Sequence, residues 1–171
     1  MEGMPARRIL QLGDPLLRIV SEPVRDPVSV RLVLRDLDST LAEFRRTHGF
    51  GRGISAIQIG EAVRVIFLRF AGKPYELINP GYVSQSAETF ELWDDCFSFP
   101  NLMVRLRRHA RVVVKHQDVL GIWHEFEAAG DLSELIQHEM DHLDGILSVD
   151  RAEGPNALAT REEWVRRYRR S

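Results

Sequence analysis

Two histidines and a glutamate raise the question of chemistry in this chain. In I-Q-H-E-M-D-H-L-D-G, Ile136 to Gly145, His138 and His142 stand four positions apart. On an α-helix that spacing projects both imidazoles from one face, one turn apart, at the separation a single metal ion requires. With about 100° of rotation per residue, Leu132, Ile136, Met140 and Leu143 gather on one arc, opposite Ser133, Glu134, Gln137, Asp141 and Asp144. Glu139 falls inside the apolar arc. A carboxylate buried there without a partner would cost roughly several kcal/mol, so its place predicts a task beside a metal, as the base that takes a proton from water. A core helix with two incidental histidines and a salt-bridged glutamate would share the periodicity. The order ligand, base, ligand speaks against it.

A metal that keeps one position open for water needs a third protein ligand. The pattern that continues to a third histidine three residues after Gly145 is absent, because Ser148 stands there. A carboxylate from the tail would have to be Asp144, Asp150, Glu153, Glu162 or Glu163, and the tail is short for that. Upstream, W-D-D-C-F-S-F-P holds the single cysteine of the chain, Cys96. We take Cys96 as the third ligand and a tail carboxylate as the alternative.

The elements around this helix follow from composition and periodicity. At 171 residues the chain fits one domain, 1–171, with a proper core. Its 23 basic and 25 acidic residues nearly balance, so no global field points to DNA or to an anionic membrane. One cysteine excludes an internal disulfide, and the N-terminus lacks the apolar run of a signal peptide or membrane anchor. These features predict a reducing, cytoplasmic setting.

Residues 9–24 read as an extended leading segment with a turn at Gly13-Asp14-Pro15. Val30, Leu34, Leu37, Leu41 and Phe44 recur at steps of four and three, predicting an amphipathic helix over 28–48 that ends at Gly49. Gly49, Gly51 and Gly53 then allow sharp turns or the close approach of a ligand. The Walker pattern is absent, so phosphate binding is not indicated. Strands are expected at Val63–Phe70, Tyr75–Asn79, Arg111–Lys115, Ile122–Phe126 and, in brief, Ile146–Val149. Asp131 and Glu134 predict a capping box for the metal helix, and Thr160 and Glu163 another for a short basic helix at about 160–170. Strands and helices that do not alternate regularly favour an α+β fold, mostly antiparallel sheets packed around a central metal-binding helix. His48, His109, His116 and His124 are scattered and are taken as structural or surface residues.

Three stretches, G-R-G-I-S-A-I-Q at 51–58, D-D-C-F-S at 94–98 and Q-H-E-M-D-H at 137–142, together resemble the three signatures of peptide deformylases, in the family's order and at comparable spacing. Ile9 through Val24, the I-N-P at 78–80 and H-L-D-G-I-L-S-V-D at 142–150 are also similar to the family. The resemblance implies a metal held by Cys96, His138 and His142, with Glu139 as acid and base. It implies Fe2+ as the native ion, with Zn2+, Ni2+ or Co2+ as other occupants. The formyl oxygen would meet the Gln58 amide and the backbone N–H of Phe97. The backbone around Arg52 and Gly53 would pair with an extended N-formylmethionyl peptide, next to Asp95, and the products would be formate and a free amino terminus.

The chain departs from the family pattern at several of these positions. Asp95 stands where the family carries glycine, which puts a charge near the cleft and, at positive φ, would strain the backbone. Asp94 replaces glutamate and is expected to pair with Arg108. Phe97 replaces leucine, and Ser55 and Ile57 replace alanine and proline in the glycine loop. Arg52, Asp95 and Phe97 leave room for a paralogue acting on another acylated amine. A metal-retaining binding protein without catalysis is a further alternative, although it would have no need for both Gln58 and Glu139. The arginines of the terminal helix are either a contact to ribosomal RNA or a solvated face behind Trp164 and Tyr168 packed on the domain.

Overall fold

The steps of four and three in the first half produce α1, Arg31–His48, with Leu34, Leu37, Leu41 and Phe44 buried along one side. The computed structural model describes residues 5–170. The helix starts three residues later than the periodicity suggests. Pro27 fixes φ and the Asp26 side chain accepts from the Val28 N–H, so Pro27–Val30 form a 3-10 turn instead. Gly49, at φ +79°, closes the helix with its N–H on the Arg45 carbonyl.

The strands are β1 (Gly53–Ser55), β2 (Val65–Phe70), β3 (Lys73–Gln85), β4 (Thr89–Asp94), β5 (Leu102–His109), β6 (Arg111–Gln117), β7 (Trp123–Ala129) and β8 (Leu158–Thr160). They form a five-stranded sheet in the order β1-β2-β3-β6-β7 and a three-stranded sheet in the order β4-β5-β8. All pairings in both sheets are antiparallel. Between β7 and β8 runs α2, Gly130–Leu143, and after β8 comes α3, Arg161–Arg167. This is the expected α+β arrangement. No helix among the described residues is long and apolar enough to cross a membrane.

The larger sheet lies between the two main helices, and β2 shows why. Its side chains alternate faces: Val65 and Phe67 join the cluster under α1, while Ile66 and Leu68 join Leu135, Ile136, Met140 and Leu143 of α2. A strand covered on both sides must be apolar throughout, which is the V-I-F-L run. A third cluster, with Leu10, Leu17, Cys96, Phe99, Val104, Leu106 and Leu147, joins the leading segment, the Cys96 loop, β5 and the chain after α2.

Three expectations need correction. Ile146–Val149 is not a strand. Gly145, at φ +72°, turns the chain back against Arg18, the Ile146 N–H bonds the Asp141 carbonyl, and a 3-10 turn follows at Ser148–Arg151. Local bonds satisfy the backbone there, so no ladder is needed. Asp131 does not cap α2, because β7 runs into the helix with no loop between them, Gly130 at φ +57° makes the corner, and Ala129 occupies the cap position without a side-chain bond. The third expectation concerns the strand predicted to stop before Pro80, which continues to Gln85. Asn79 adopts φ +50°, and a register shift between Ile78 and Gly81 absorbs the proline.

Asn79 fastens this bulge. Its Oδ1 accepts from the Val24 N–H at 2.8 Å, and its Nδ2 donates to the Val24 carbonyl and to Gln117 Oε1, each at 2.8 Å. Asn79→Ala removes three hydrogen bonds and the residue type that tolerates this φ. It should lower stability by about 3 kcal/mol, seen as a lower urea midpoint at unchanged slope.

Candidate metal centre

The β4–β5 hairpin and α2 bring the metal ligands together. The register pairs Asp94 with Val104 at the end of β4, so the chain leaves the sheet at Asp95 and delivers Cys96 against α2. Cys96, His138 and His142 are all buried, and one donor atom of each lies within 4.8 Å of the others. Cys96 Sγ is 3.4 Å from His142 Nε2, which is 3.2 Å from His138 Nε2. Those are close to the edges of a tetrahedron with bonds of about 2.0–2.3 Å, roughly 3.3–3.6 Å. No tail carboxylate joins this cluster. The donor set therefore fits one divalent cation with a position to spare.

The surroundings of the ligands are equally defined. Asp94 Oδ2 lies 2.8 Å from His138 Nδ1, which leaves Nε2 as the lone-pair nitrogen toward the cluster. The expected pair with Arg108 is present at 3.2 Å, and Arg108 also reaches Asp141 at 2.6 Å. Burial works against the Asp94 charge, but His138 and Arg108 outweigh it and hold the carboxyl below its ordinary range. Burial likewise pushes the Cys96 thiol up. The Ser98 N–H at 3.5 Å and Gln58 Nε2 at 3.6 Å both point donors at its sulfur, favouring the thiolate a cation requires.

Glu139 is 2 % exposed, and the Ser55 hydroxyl bonds its Oε2 at 2.7 Å. Ser55, read from the sequence as a change of loop rigidity, thus holds the Glu139 carboxylate. Burial raises the Glu139 carboxyl, against the pull of His138 and Ser55. Gln58 is fixed through its Oε1, which accepts from the Ser55 N–H at 3.0 Å, leaving Nε2 directed at Cys96 and Ser98. The leading segment straps both loops down. Leu10 donates to the Gln58 carbonyl at 2.8 Å, Leu12 to the Ser98 carbonyl at 2.9 Å, and Gln11 Nε2 to the Phe97 carbonyl at 3.2 Å. The Phe97 N–H itself has no acceptor among the described residues.

A cavity of about 380 Å³ opens beside the ligands, lined by Arg52, Gly53, Trp93, Asp95, Phe97 and Glu139 among others. Gly51, at φ +120°, lies where a Cβ would collide with the Phe97 ring, and a Cβ on Gly53 would sit 2.7 Å from Leu68. Arg52 forms an ion pair with Glu134 across the cavity, so Glu134 is a cleft residue rather than a helix cap. Burial and the Asp94 charge push Glu134 up to about 7, against the pull of Arg52. Asp95 does not have positive φ and carries no backbone strain. Its carboxylate takes the Arg161 guanidinium at 2.6 Å, which also donates to the Pro100 carbonyl and lies 3.8 Å over the Phe50 ring. Sequence reasoning missed Arg161 and Glu134. The one available signal was that Glu134 stands four residues before His138.

A buried thiol facing two imidazoles, with a buried carboxylate between them on the same helix, is the arrangement of a mononuclear metallohydrolase. Comparison with known proteins narrows this. The polypeptide deformylase family profile matches residues 6–157. A peptide deformylase of Dictyoglomus turgidum is 35% identical over 152 residues, 88% of this chain and 95% of that one. The crystal structure of peptide deformylase from Thermotoga maritima superposes with a TM-score of 0.81 at 31% identity, covering 88% of this chain and 100% of the other. That of a peptide deformylase from Synechococcus elongatus in complex with actinonin gives 0.82 at 30% identity, covering 88% and 81%. The chain belongs to the polypeptide deformylase family.

The Asp94 contact to His138 is open to direct measurement. Asp94→Asn should weaken metal binding by about 10- to 100-fold, read by competition with a chelator. An unchanged affinity would mean that the Nδ1 partner does not orient the ring.

Proposed function

We propose that this chain hydrolyses the N-terminal formyl group from formylmethionyl nascent peptides, with Cys96, His138 and His142 holding the metal. The observation that carries this reading is the buried Glu139 carboxylate, held by Ser55 at 2.7 Å beside three converging donors. We take Fe2+ as the resident ion; the nitrogen and sulfur donors also suit Zn2+, Ni2+ or Co2+. A divalent cation there supplies a more acidic water and a positive centre for the formyl oxygen.

The rest is the work of the chain itself. The Glu139 carboxylate accepts a proton from the water that attacks the formyl carbon. It then returns a proton to the nitrogen as the C–N bond breaks, leaving formate and a free amine. Burial raises the carboxyl above its ordinary range, the direction that makes it the better proton acceptor. The Gln58 amide and the unpartnered Phe97 N–H supply donors where negative charge develops on the formyl oxygen.

The peptide lies along β1. The Arg69 N–H bonds the Arg52 carbonyl at 2.7 Å, so Gly53, paired with Leu68, occupies a non-hydrogen-bonded position of the ladder. Its N–H and C=O therefore face away from β2, into the cleft, as an edge strand offers them. Intact Gln58 and Glu139 favour catalysis over a passive binding role. Such a substrate places the protein in the cytoplasm, close to ribosomes. Arg166, Arg167, Arg169 and Arg170 are exposed on and after α3, where RNA phosphates could be met, while Tyr168 stacks on Trp93 at 4.9 Å.

Anaerobically iron-loaded protein should release formate from a formyl-Met peptide. Glu139→Ala should lose about 10²- to 10⁴-fold in kcat and Gln58→Ala about 10²- to 10³-fold, both with metal retained. Formate release undiminished in Glu139→Ala would remove the proposed base. Reversing the four exposed arginines to glutamate, with Arg161 kept, should reduce ribosome pelleting at low salt. Pelleting equal to that of the unaltered chain would exclude them as the contact.

A further inference from the structure

The Arg52–Glu134 ion pair has no part in the proton transfers, yet it lies in the cavity next to them. Glu134 precedes His138 by four residues, so their side chains leave α2 on one side with Cβ atoms roughly 5–6 Å apart. Arg52 crosses from the start of β1 to meet it. A peptide held along β1 with its formyl carbon at the His138 donor has its first Cα two bonds from that carbon. The first side chain therefore enters the cavity that Arg52 and Glu134 line together with His138.

The pair also has unused hydrogen-bonding capacity. A guanidinium carries five N–H donors, and Glu134 is the one acceptor Arg52 has among the described residues. The Arg52 side chain is 37% exposed, and Glu134 is 6% exposed. An apolar side chain laid on that guanidinium strips its water and returns no hydrogen bond. A carboxamide of the same length returns the bond. Leu135 and Met103, which also line the cavity, accommodate the methylene stem common to both.

We propose that the Arg52–Glu134 pair is a specificity determinant of the first side-chain subsite, admitting formylated amino termini whose first side chain ends in a neutral hydrogen-bonding group, a carboxamide above all. This rests on the deformylase reading and widens its substrate class beyond methionine. Glutamine, nearly isosteric with methionine, is the discriminating probe.

The experiment compares kcat/KM for formyl-Met-Ala-Ser and formyl-Gln-Ala-Ser with the iron-loaded full chain. It is repeated with the double variant Arg52→Leu/Glu134→Leu, which removes both charges together and so leaves neither buried alone. Arg52→Met/Glu134→Met serves if the first variant does not fold. The unaltered protein should process the glutamine peptide within tenfold of the methionine peptide. The variant should shift the ratio toward methionine by at least tenfold, the scale of one hydrogen bond to a charged partner, roughly 10- to 100-fold. A glutamine peptide more than tenfold slower in the unaltered protein, or a ratio that the variant shifts by less than tenfold, overturns the inference alone. No formate from either peptide overturns the deformylase reading, and the inference with it.

Discussion

One buried carboxylate, Asp94, ties the metal centre to the fold. It contacts His138 Nδ1 at 2.8 Å and Arg108 at 3.2 Å, and Arg108 continues to Asp141 on the far side of α2. Asp141 is met again by Arg151, at 2.6 Å and 2.8 Å. Hairpin, helix and the turn after it are thus joined through alternating charges. Removing Arg108 would leave the buried Asp94 without its guanidinium partner, a loss larger than the pair itself contributes. The same carboxylate stands two residues before Cys96, so fixing Asp94 fixes the approach of the thiol as well as the tilt of the imidazole.

Glu139 is held from a different quarter. Ser55, at the end of β1, gives its hydroxyl to Glu139 and its N–H to Gln58, so one residue aligns the side chains on either side of the cluster. β1 can lie that close to α2 because Gly53 has no Cβ to meet Leu68, Leu135 and Glu139. In this molecule the glycine-rich loop serves packing and an open strand edge, and the absence of a phosphate pattern agrees with that.

The sequence made the chemistry more legible than its scaffold. His138, His142, Cys96 and Glu139 come together as expected, because metal spacing and helical period are both local properties of the chain. The strands β4 and β5, which flank Cys96 and carry Asp94 and Arg108, are not evident from the sequence pattern. Their alternation is interrupted by Asp94 and Arg108, charges that face inward because they face each other. The same blindness to long-range pairing made Glu134 a helix cap and Ile146–Val149 a strand. In both cases a partner far along the chain, Arg52 or Arg18, decides the outcome. The strain suspected at Asp95 was likewise a local inference, and the local backbone turns out to be ordinary.

The contact between Asp95 and Arg161 joins residues 66 positions apart. During vectorial synthesis the hairpin and α2 precede Arg161, so the three donors can assemble while the guanidinium that braces Asp95 at the edge of the cavity is still missing. Local pairings form early and distant ones late. The brace on Asp95 at the rim of the cavity is therefore among the last contacts of the chain to form.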